Sequence, residues 1–473
     1  MSRLPPHSGQ GGGKGIKVPA SVSVNSITSE PSSVFKGPHS HNIKKCSTMF
    51  EISWDSYINA ETFPEFNDGY REDLFFDNAD HDALMEESQY ARESEMYERQ
   101  ERRRRLHAKY SEAKSRRSAM YPNQQQQHAA DYIIEGNNGV KYAVVDALGE
   151  GQFGQVYAAI EVTSKLANKP KYAIKVARPG PVYRQQAFRE VQILKQLQKV
   201  ATPAELQYCI HFVDWFNFKD RLCIVNEHLY IDLLEVIKKR GYRGLPLQLI
   251  QSATRQLLFT LKTLEKCNIV HSDIKPENIL LKDDRGSDIK LVDFGSARFI
   301  QQPASHYIQS RYYRAPEVVL RLNHDYKIDI WSAACVAFEL FLAVPLFPGQ
   351  NEIHLLELIV AFLGDFPPEI VKKSPRQNLF QDGKLKSEEQ ICMENGTQPV
   401  NMPKYFQYDT MEEIILQYEY MYGNTPQARE SERKRRLIFI DFLRKTLNLN
   451  PEKRLNATEA LQHPFITSDL SKV

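Results

Sequence analysis

His271, Ser272, Asp273, Ile274, Lys275, Pro276, Glu277 and Asn278 run consecutively, and Asp293-Phe294-Gly295 begins fifteen positions after Asn278. Residue types at this spacing could move a phosphoryl group. Asp273 is a candidate base that accepts or orients a hydroxyl proton, and Lys275 offers a cation to offset negative charge on the group in transfer. Asn278 and Asp293 would give hard oxygen donors to Mg²⁺. His271 reads as a packed structural histidine, because a carboxylate already occupies the base position.

Upstream, Gly149-Glu150-Gly151-Gln152-Phe153-Gly154-Gln155-Val156 lies between two apolar runs. Its glycines let backbone amides approach a triphosphate without Cβ clashes. Dinucleotide folds share this spacing but open a helix directly after the third glycine. Here Val156-Tyr157-Ala158-Ala159-Ile160 continues as a strand, which favours a lid over ATP. Ala173-Ile174-Lys175 closes the next strand with a lysine whose stem can cross the sheet toward the α and β phosphates. Glu190, fifteen positions on in a predicted helix, is the natural partner to hold Lys175 in place.

The elements that must position these groups follow from periodicity. Alternation predicts strands over Tyr142–Leu148, Val156–Val162 and Lys171–Val176, a helix over Arg184–Gln198, and two further strands near Ile210–Phe218 and Leu222–Glu227. The remainder is mostly helical. Strands first and helices afterwards indicate an α+β architecture, with a small β-rich lobe on a larger α-rich one.

Ahead of this region the pattern differs. Residues 1 to about 48 are polar and rich in Gly, Pro and Ser, a composition expected to stay disordered. From Phe50 to about Phe76 aromatic residues return among acids (Trp54, Tyr57, Phe63, Phe66, Tyr70, Phe75), which suits either a docking segment or a collapsed linker. Ala83–Arg117 has helix-favouring composition, and its run Arg102–Arg105 reads as a solvated charged face or a nuclear import signal.

Across all 473 residues, Lys+Arg 61 against Asp+Glu 59 leaves a formal charge of +2, so no global charge calls for nucleic acid or a membrane surface. Six scattered cysteines without a Cys-x-x-Cys pair suit a reducing, intracellular setting, cytoplasmic or nuclear. The longest apolar run, Ala333–Phe347, is too short to span a bilayer and reads as a buried helix. A monomer without membrane or direct nucleic-acid contacts is expected.

Together these residues resemble the eukaryotic protein-kinase family over roughly Tyr142 to Phe465. The resemblance implies a bilobal fold with an N-lobe at 142–226, a hinge at 227–230, a C-lobe at 231–466 and an insert at 365–435, preceded by an extension over 1–130. It implies ATP and Mg²⁺ as cofactors, Asp273, Lys275, Lys175 and Glu190 as catalytic residues, and Asn278 and Asp293 as metal ligands. Val156, Ala173 and Leu280 match the apolar positions around the adenine ring, and Glu227 to Leu229 match the hinge that reads its edge. Gly149, Gly151, Phe153 and Gly154 match the phosphate-covering loop. Ala315-Pro316-Glu317 resembles the end of the activation segment, with Arg454 as the buried partner of Glu317. Asp329-Ile330-Trp331-Ser332 resembles the start of the central helix, whose aspartate braces the catalytic loop. The insert reads as a docking surface or a solvated loop.

Ser305-His306-Tyr307-Ile308-Gln309-Ser310-Arg311-Tyr312-Tyr313-Arg314 is similar to the activation loop of the dual-specificity tyrosine-regulated (DYRK) kinases and their homeodomain-interacting and Yak-type relatives. This implies self-phosphorylation of Tyr307, the phosphate being clamped by Arg311 and Arg314. It also implies protein substrates with Ser or Thr before proline and a basic residue upstream facing Glu277, with the N-terminal arm choosing partners. Three departures stand out. Ser272 replaces the arginine of the common His-Arg-Asp triplet, as in the DYRK group. Ser305 replaces the first tyrosine of a Tyr-x-Tyr pair. Asn226 stands at the gatekeeper position, where it needs a hydrogen-bond partner or a water. The alternative of another class is a catalytically silent scaffold that keeps the fold.

Overall fold

The computed structural model describes residues 132–151, 153–302, 308–396, 406, 408–418 and 425–473. The arm over 1–130, with its charged helix expected at 83–117, lies outside the described residues, as does Tyr307.

A six-stranded antiparallel sheet comes first, formed by β1 (Ile133–Glu135), β2 (Lys141–Glu150), β3 (Gly154–Glu161), β4 (Lys171–Ala177), β5 (Phe212–Phe218) and β6 (Arg221–Glu227) in the order β1-β2-β3-β4-β6-β5. Strand β1 precedes the expected start at Tyr142. It is only three residues long, so no alternation announces it, and pairing to β2 through Ile133↔Ala143 and Glu135↔Lys141 holds it. The sheet curls until its two edges meet. Asn137 Nδ2, just past β1, donates to the Asp214 carboxylate at 3.2 Å and to the Trp215 carbonyl at 2.9 Å on β5. Alternate residues fill the interior, with Ile134, Val144, Ile174 and Val225 buried and Tyr142 stacked on Phe216 at 5.9 Å. Apolar alternation therefore decides which face of each strand is enclosed.

Helix α1 (Pro181–Val200) starts on Pro181, which needs no intrahelical N–H acceptor there. Its apolar stripe Ala187, Val191, Leu194 and Leu197 packs toward the sheet, and Glu190 is buried on the same side. The larger lobe is helical. Helix α2 (Leu247–Lys266) and the almost wholly buried α3 (Lys327–Leu342) form its centre, with α4 (Pro426–Thr446) behind them. The apolar run expected as one helix to Phe347 stops early, because Ala343 turns left-handed at φ 63° ahead of Pro345. Among the described residues no helix is long and apolar enough to cross a membrane.

The described part of segment 365–435 is not a bare solvated loop. It carries helices Pro368–Lys373, Glu388–Asn395 and Met411–Gln417, which bury Ile370, Val371, Ile391, Met411 and Ile415. Acid and base clusters mask this in sequence, since each helix buries only two or three side chains. Cys209, Cys223, Cys267, Cys335 and Cys392 are free and buried.

Candidate active site

Between the lobes, three pieces of chain bring the charged residues together. Strand β4 delivers Lys175, α1 delivers Glu190, and Asp293 follows β8 (Ile289–Leu291), which pairs with β7 (Ile279–Leu281). The Lys175 Nζ lies 2.8 Å from Glu190 Oε2, 3.0 Å from Glu190 Oε1 and 2.6 Å from Asp293 Oδ1. Burial works against the ammonium, yet Asp293 and Glu190 together raise its pKa. For Asp293 burial also opposes charge, and Lys175 more than offsets it, holding the carboxyl down to about 2. A Cβ on Gly295 would stand 3.1 Å from both Lys175 Nζ and Asp293 Oδ1, so these groups would have to give by a few tenths of an ångström to admit it.

The glycine-rich turn joins β2 to β3. Gly149 and Gly151 have open space where a Cβ would be, whereas a Cβ on Gly154 would lie 2.4 Å from the Val176 carbonyl. The third glycine therefore serves close strand pairing, and the first two leave room for a ligand. Phe153 sits at the tip, and its carbonyl accepts from Arg178 N at 3.0 Å. Val156, Ala173 and Leu280 are only partly buried, on β3, β4 and β7.

At the outer end of β6, Glu227 Oε1 accepts from His211 N at 2.7 Å and pairs with Lys290 Nζ at 2.8 Å, while Leu229 is buried. The Glu227 side chain is thus spent on structure. Beside it, Asn226 pairs in register with Ala173, and its Oδ1 is buried with no hydrogen-bond partner among the described residues. Among the described residues no group supplies the partner that the sequence demanded.

On the larger lobe, Asp273 holds the centre. Its Oδ2 accepts from Lys275 Nζ at 2.9 Å and Asn278 Nδ2 at 3.1 Å, and its Oδ1 accepts from Ser310 Oγ at 2.7 Å. Asn278 Nδ2 also donates to the Asp273 carbonyl at 2.8 Å. With the amide nitrogen fixed inward, the amide oxygen is the atom left for a cation. Burial opposes the charge on Lys275, but Asp273 and Glu277 raise its pKa, so it stays a cation.

Two left-handed residues shape this loop, Ser272 at φ 64° and Asp293 at φ 60°. Such backbone costs on the order of 1–3 kcal/mol per residue and persists only where surroundings over-determine it. Buried Asp329 does so for Ser272, accepting His271 N at 2.7 Å and Ser272 N at 2.9 Å, as the resemblance implied. His271 is buried, with Nε2 3.1 Å from the Val292 carbonyl and its ring 4.9 Å from that of Phe294, as a packed histidine should be. Asp329→Asn offers one acceptor oxygen where two are used. It is expected to cost about 1–3 kcal/mol of stability, read by thermal unfolding.

Ser310 and Gln309 had no assigned role in the sequence. Ser310 Oγ joins Asp273 and also takes Lys275 Nζ at 3.1 Å, while Gln309 Nε2 reaches Ser332 Oγ at 2.8 Å and its Oε1 takes Ala315 N at 2.9 Å. Both sit in the ten-residue run noted above, the one available signal. Arg311 Nη1 donates to the Gln350 carbonyl. Arg314 is buried, with Nε to the Ile308 carbonyl at 2.9 Å and Nη1 to Glu352 at 3.1 Å. Arg314 thus closes on the segment that follows Tyr307, at Ile308 and Gln309, whereas Arg311 reaches the Gln350 carbonyl instead.

Residues 142–466 match the family described as the protein kinase domain. The chain belongs to the protein kinase family. Within it, the chain is 40% identical over 352 residues to the serine/threonine-protein kinase ppk15 of Schizosaccharomyces pombe, covering 71% of this chain and 65% of that protein. It is 35% identical over 360 residues to the dual specificity protein kinase YAK1 of Saccharomyces cerevisiae, covering 72% and 44%. It is 34% identical over 340 residues to dual specificity tyrosine-phosphorylation-regulated kinase 2 of Drosophila melanogaster, covering 72% and 43%. These matches place the kinase region in the DYRK and Yak group, and they span less than two thirds of each relative's own length.

Proposed function

We propose that this chain is a serine/threonine protein kinase that transfers the γ-phosphoryl of Mg-ATP to hydroxyls of protein substrates and matures by phosphorylating its own Tyr307. The observation that carries this reading is the closed contact of Lys175 with both Glu190 and Asp293. A scaffold has no need to hold an ammonium at 2.6–3.0 Å from two carboxylates inside a cleft.

The residues suit the nucleotide and its metal. Among the described residues no group of three or more His, Cys, Asp or Glu could hold a metal ion. Mg²⁺ takes one or two protein oxygens and completes its shell with phosphate and water. Asn278 and Asp293 would hold it. When bound, Mg²⁺ neutralises charge on the β and γ phosphates and orients them.

The protein's own residues do the rest. Lys175, pinned by Glu190, would meet the α and β phosphates, with Gly149, Gly151, Phe153 and Gly154 closing above them. Asp273 Oδ1 now holds Ser310 Oγ at 2.7 Å, which is the distance at which a carboxylate takes a substrate hydroxyl. Lys275 beside it would stabilise charge on the transferred group. Val156, Ala173 and Leu280 would sandwich the adenine, and the backbone of Glu227 to Leu229 would read its edge. Proline-directed substrates with a basic residue facing Glu277, partner choice by the arm and a cytoplasmic or nuclear location extend this reading by analogy with the group.

Intact and peptide mass spectrometry tests it, on the chain purified from a host without tyrosine kinases. Phosphate is expected on Tyr307, and none in an Asp273→Asn variant made the same way. Phosphate in both would point to another enzyme, and its absence from both would overturn the self-maturation.

A further inference from the structure

Helix α1 reaches the Asp293-Phe294-Gly295 turn at two points. Glu190 does so through Lys175, whose Nζ lies 2.8 Å from Glu190 Oε2 and 2.6 Å from Asp293 Oδ1. One helical turn earlier, Gln186 Nε2 donates directly to the Gly295 carbonyl at 3.2 Å. Gln186 and Glu190 stand four positions apart, so the helix period sets both side chains on one face.

The two links are made of different groups. The charged one is built from Lys175 and Asp293, which phosphate and metal would also engage. The other joins a neutral amide to a backbone carbonyl that is turned toward α1. The turn itself is poorly placed to stay put. Asp293 is left-handed at φ 60°, a conformation that persists only where neighbours over-determine it. Within the turn, the Asp293 carboxylate accepts Gly295 N only at 3.3 Å. Buried Phe294 anchors the middle, which leaves the Gly295 end to Gln186.

On the phosphoryl-transfer reading above, on which this rests, we propose that Gln186 is a positioning residue. It keeps the turn seated on α1 whichever partners Lys175 and Asp293 take, so that Asp293 returns to one place in each cycle. Gln186 touches no reacting atom and acts only through Gly295. One neutral hydrogen bond of this kind changes the seated population roughly two- to tenfold.

Hydrogen–deuterium exchange of the full, nucleotide-free chain reads the seating, and steady-state kinetics on a peptide substrate reads its effect. Gln186→Leu removes the donor and suits a helix, and Gln186→Glu removes it at nearly constant volume. Glu190→Gln, which weakens the charged link, is the comparison. Amides of 294–297 are expected to exchange about fivefold faster in both Gln186 variants, with those of 187–200 unchanged. In both, kcat should fall about fivefold while KM for ATP stays within about twofold, whereas Glu190→Gln should raise KM as well, because Lys175 is released. Unchanged exchange at 294–297 overturns the role of Gln186. So does faster exchange along all of 187–200, which assigns Gln186 to holding the helix, and so does a KM rise equal to that of Glu190→Gln. A parent chain without turnover, in which the exchange difference is nonetheless present, would refute the phosphoryl-transfer reading and uphold the contact.

Discussion

Asp293→Asn should leave the fold intact and lower turnover on a peptide substrate by about three orders of magnitude, as expected where an electrostatic and metal-positioning group is removed. The amide keeps the volume of the carboxylate and can still accept from Gly295 N, now at 3.3 Å from Asp293 Oδ1. Lys175 keeps Glu190 at 2.8 Å, so no buried cation is orphaned. What disappears is a negative charge at a position that would hold Mg²⁺, and chemistry should suffer far more than nucleotide affinity. The pH dependence has a definite sign. Because the Asp293 carboxyl is held down to about 2, its contribution to stability is fully present above the ordinary Asp value of about 3.9 and is lost as pH falls toward 2. The variant's stability deficit should therefore be constant near neutrality and close in acid. Steady-state kinetics with thermal unfolding at several pH values checks both halves, and normal turnover in the variant would sink the assignment of Asp293.

The second large effect concerns stability. Arg454→Met should cost about 3–5 kcal/mol, since removing one partner of a buried ion pair leaves the other charge uncompensated. Arg454 and Glu317 are almost completely buried, bonded Nη1 to Oε1 at 2.5 Å and Nη2 to Oε2 at 2.9 Å. Arg454 also donates to the carbonyls of Lys327 at 2.9 Å and Asn448 at 3.1 Å and lies over Trp331 at 5.0 Å. Met fills the volume but satisfies none of these acceptors. Adding Glu317→Gln should recover part of the loss, because the stranded charge is then gone. Denaturant unfolding of the two single variants and the double reads this directly, and additive losses would mean that the pair is not coupled.

The chemistry-bearing groups were legible because function confines them to fixed residue types at short spacing: Asp273, Lys275 and Asn278 within six positions, and Lys175 at the end of an alternating strand. Arg454 as partner of Glu317 was legible only through resemblance, since nothing local links positions 137 apart. Strand β1 was not legible, because three residues hold no period and pairing alone keeps them extended. Nor was the link from Ser310 to Asp273, as a hydroxyl has no signature until the path of the chain sets its neighbour. The insert misled in the other direction. Its charges suggested solvent, but two or three apolar residues per short helix suffice to fasten it to the larger lobe.

The distance along the chain between Glu317 and Arg454 also sets an order of events during synthesis. At about 5–20 residues per second, a ribosome that has released Glu317 needs on the order of ten seconds more to release its partner. Throughout that interval the carboxylate, and with it the platform at Ala315-Pro316-Glu317, lacks the cation that completes it. A stalled or truncated product ending before Arg454 would carry every residue of the cleft and still be without the bond that seats its activation segment. Quality control of the nascent chain would therefore find its target in the larger lobe, long after the small lobe has closed its sheet.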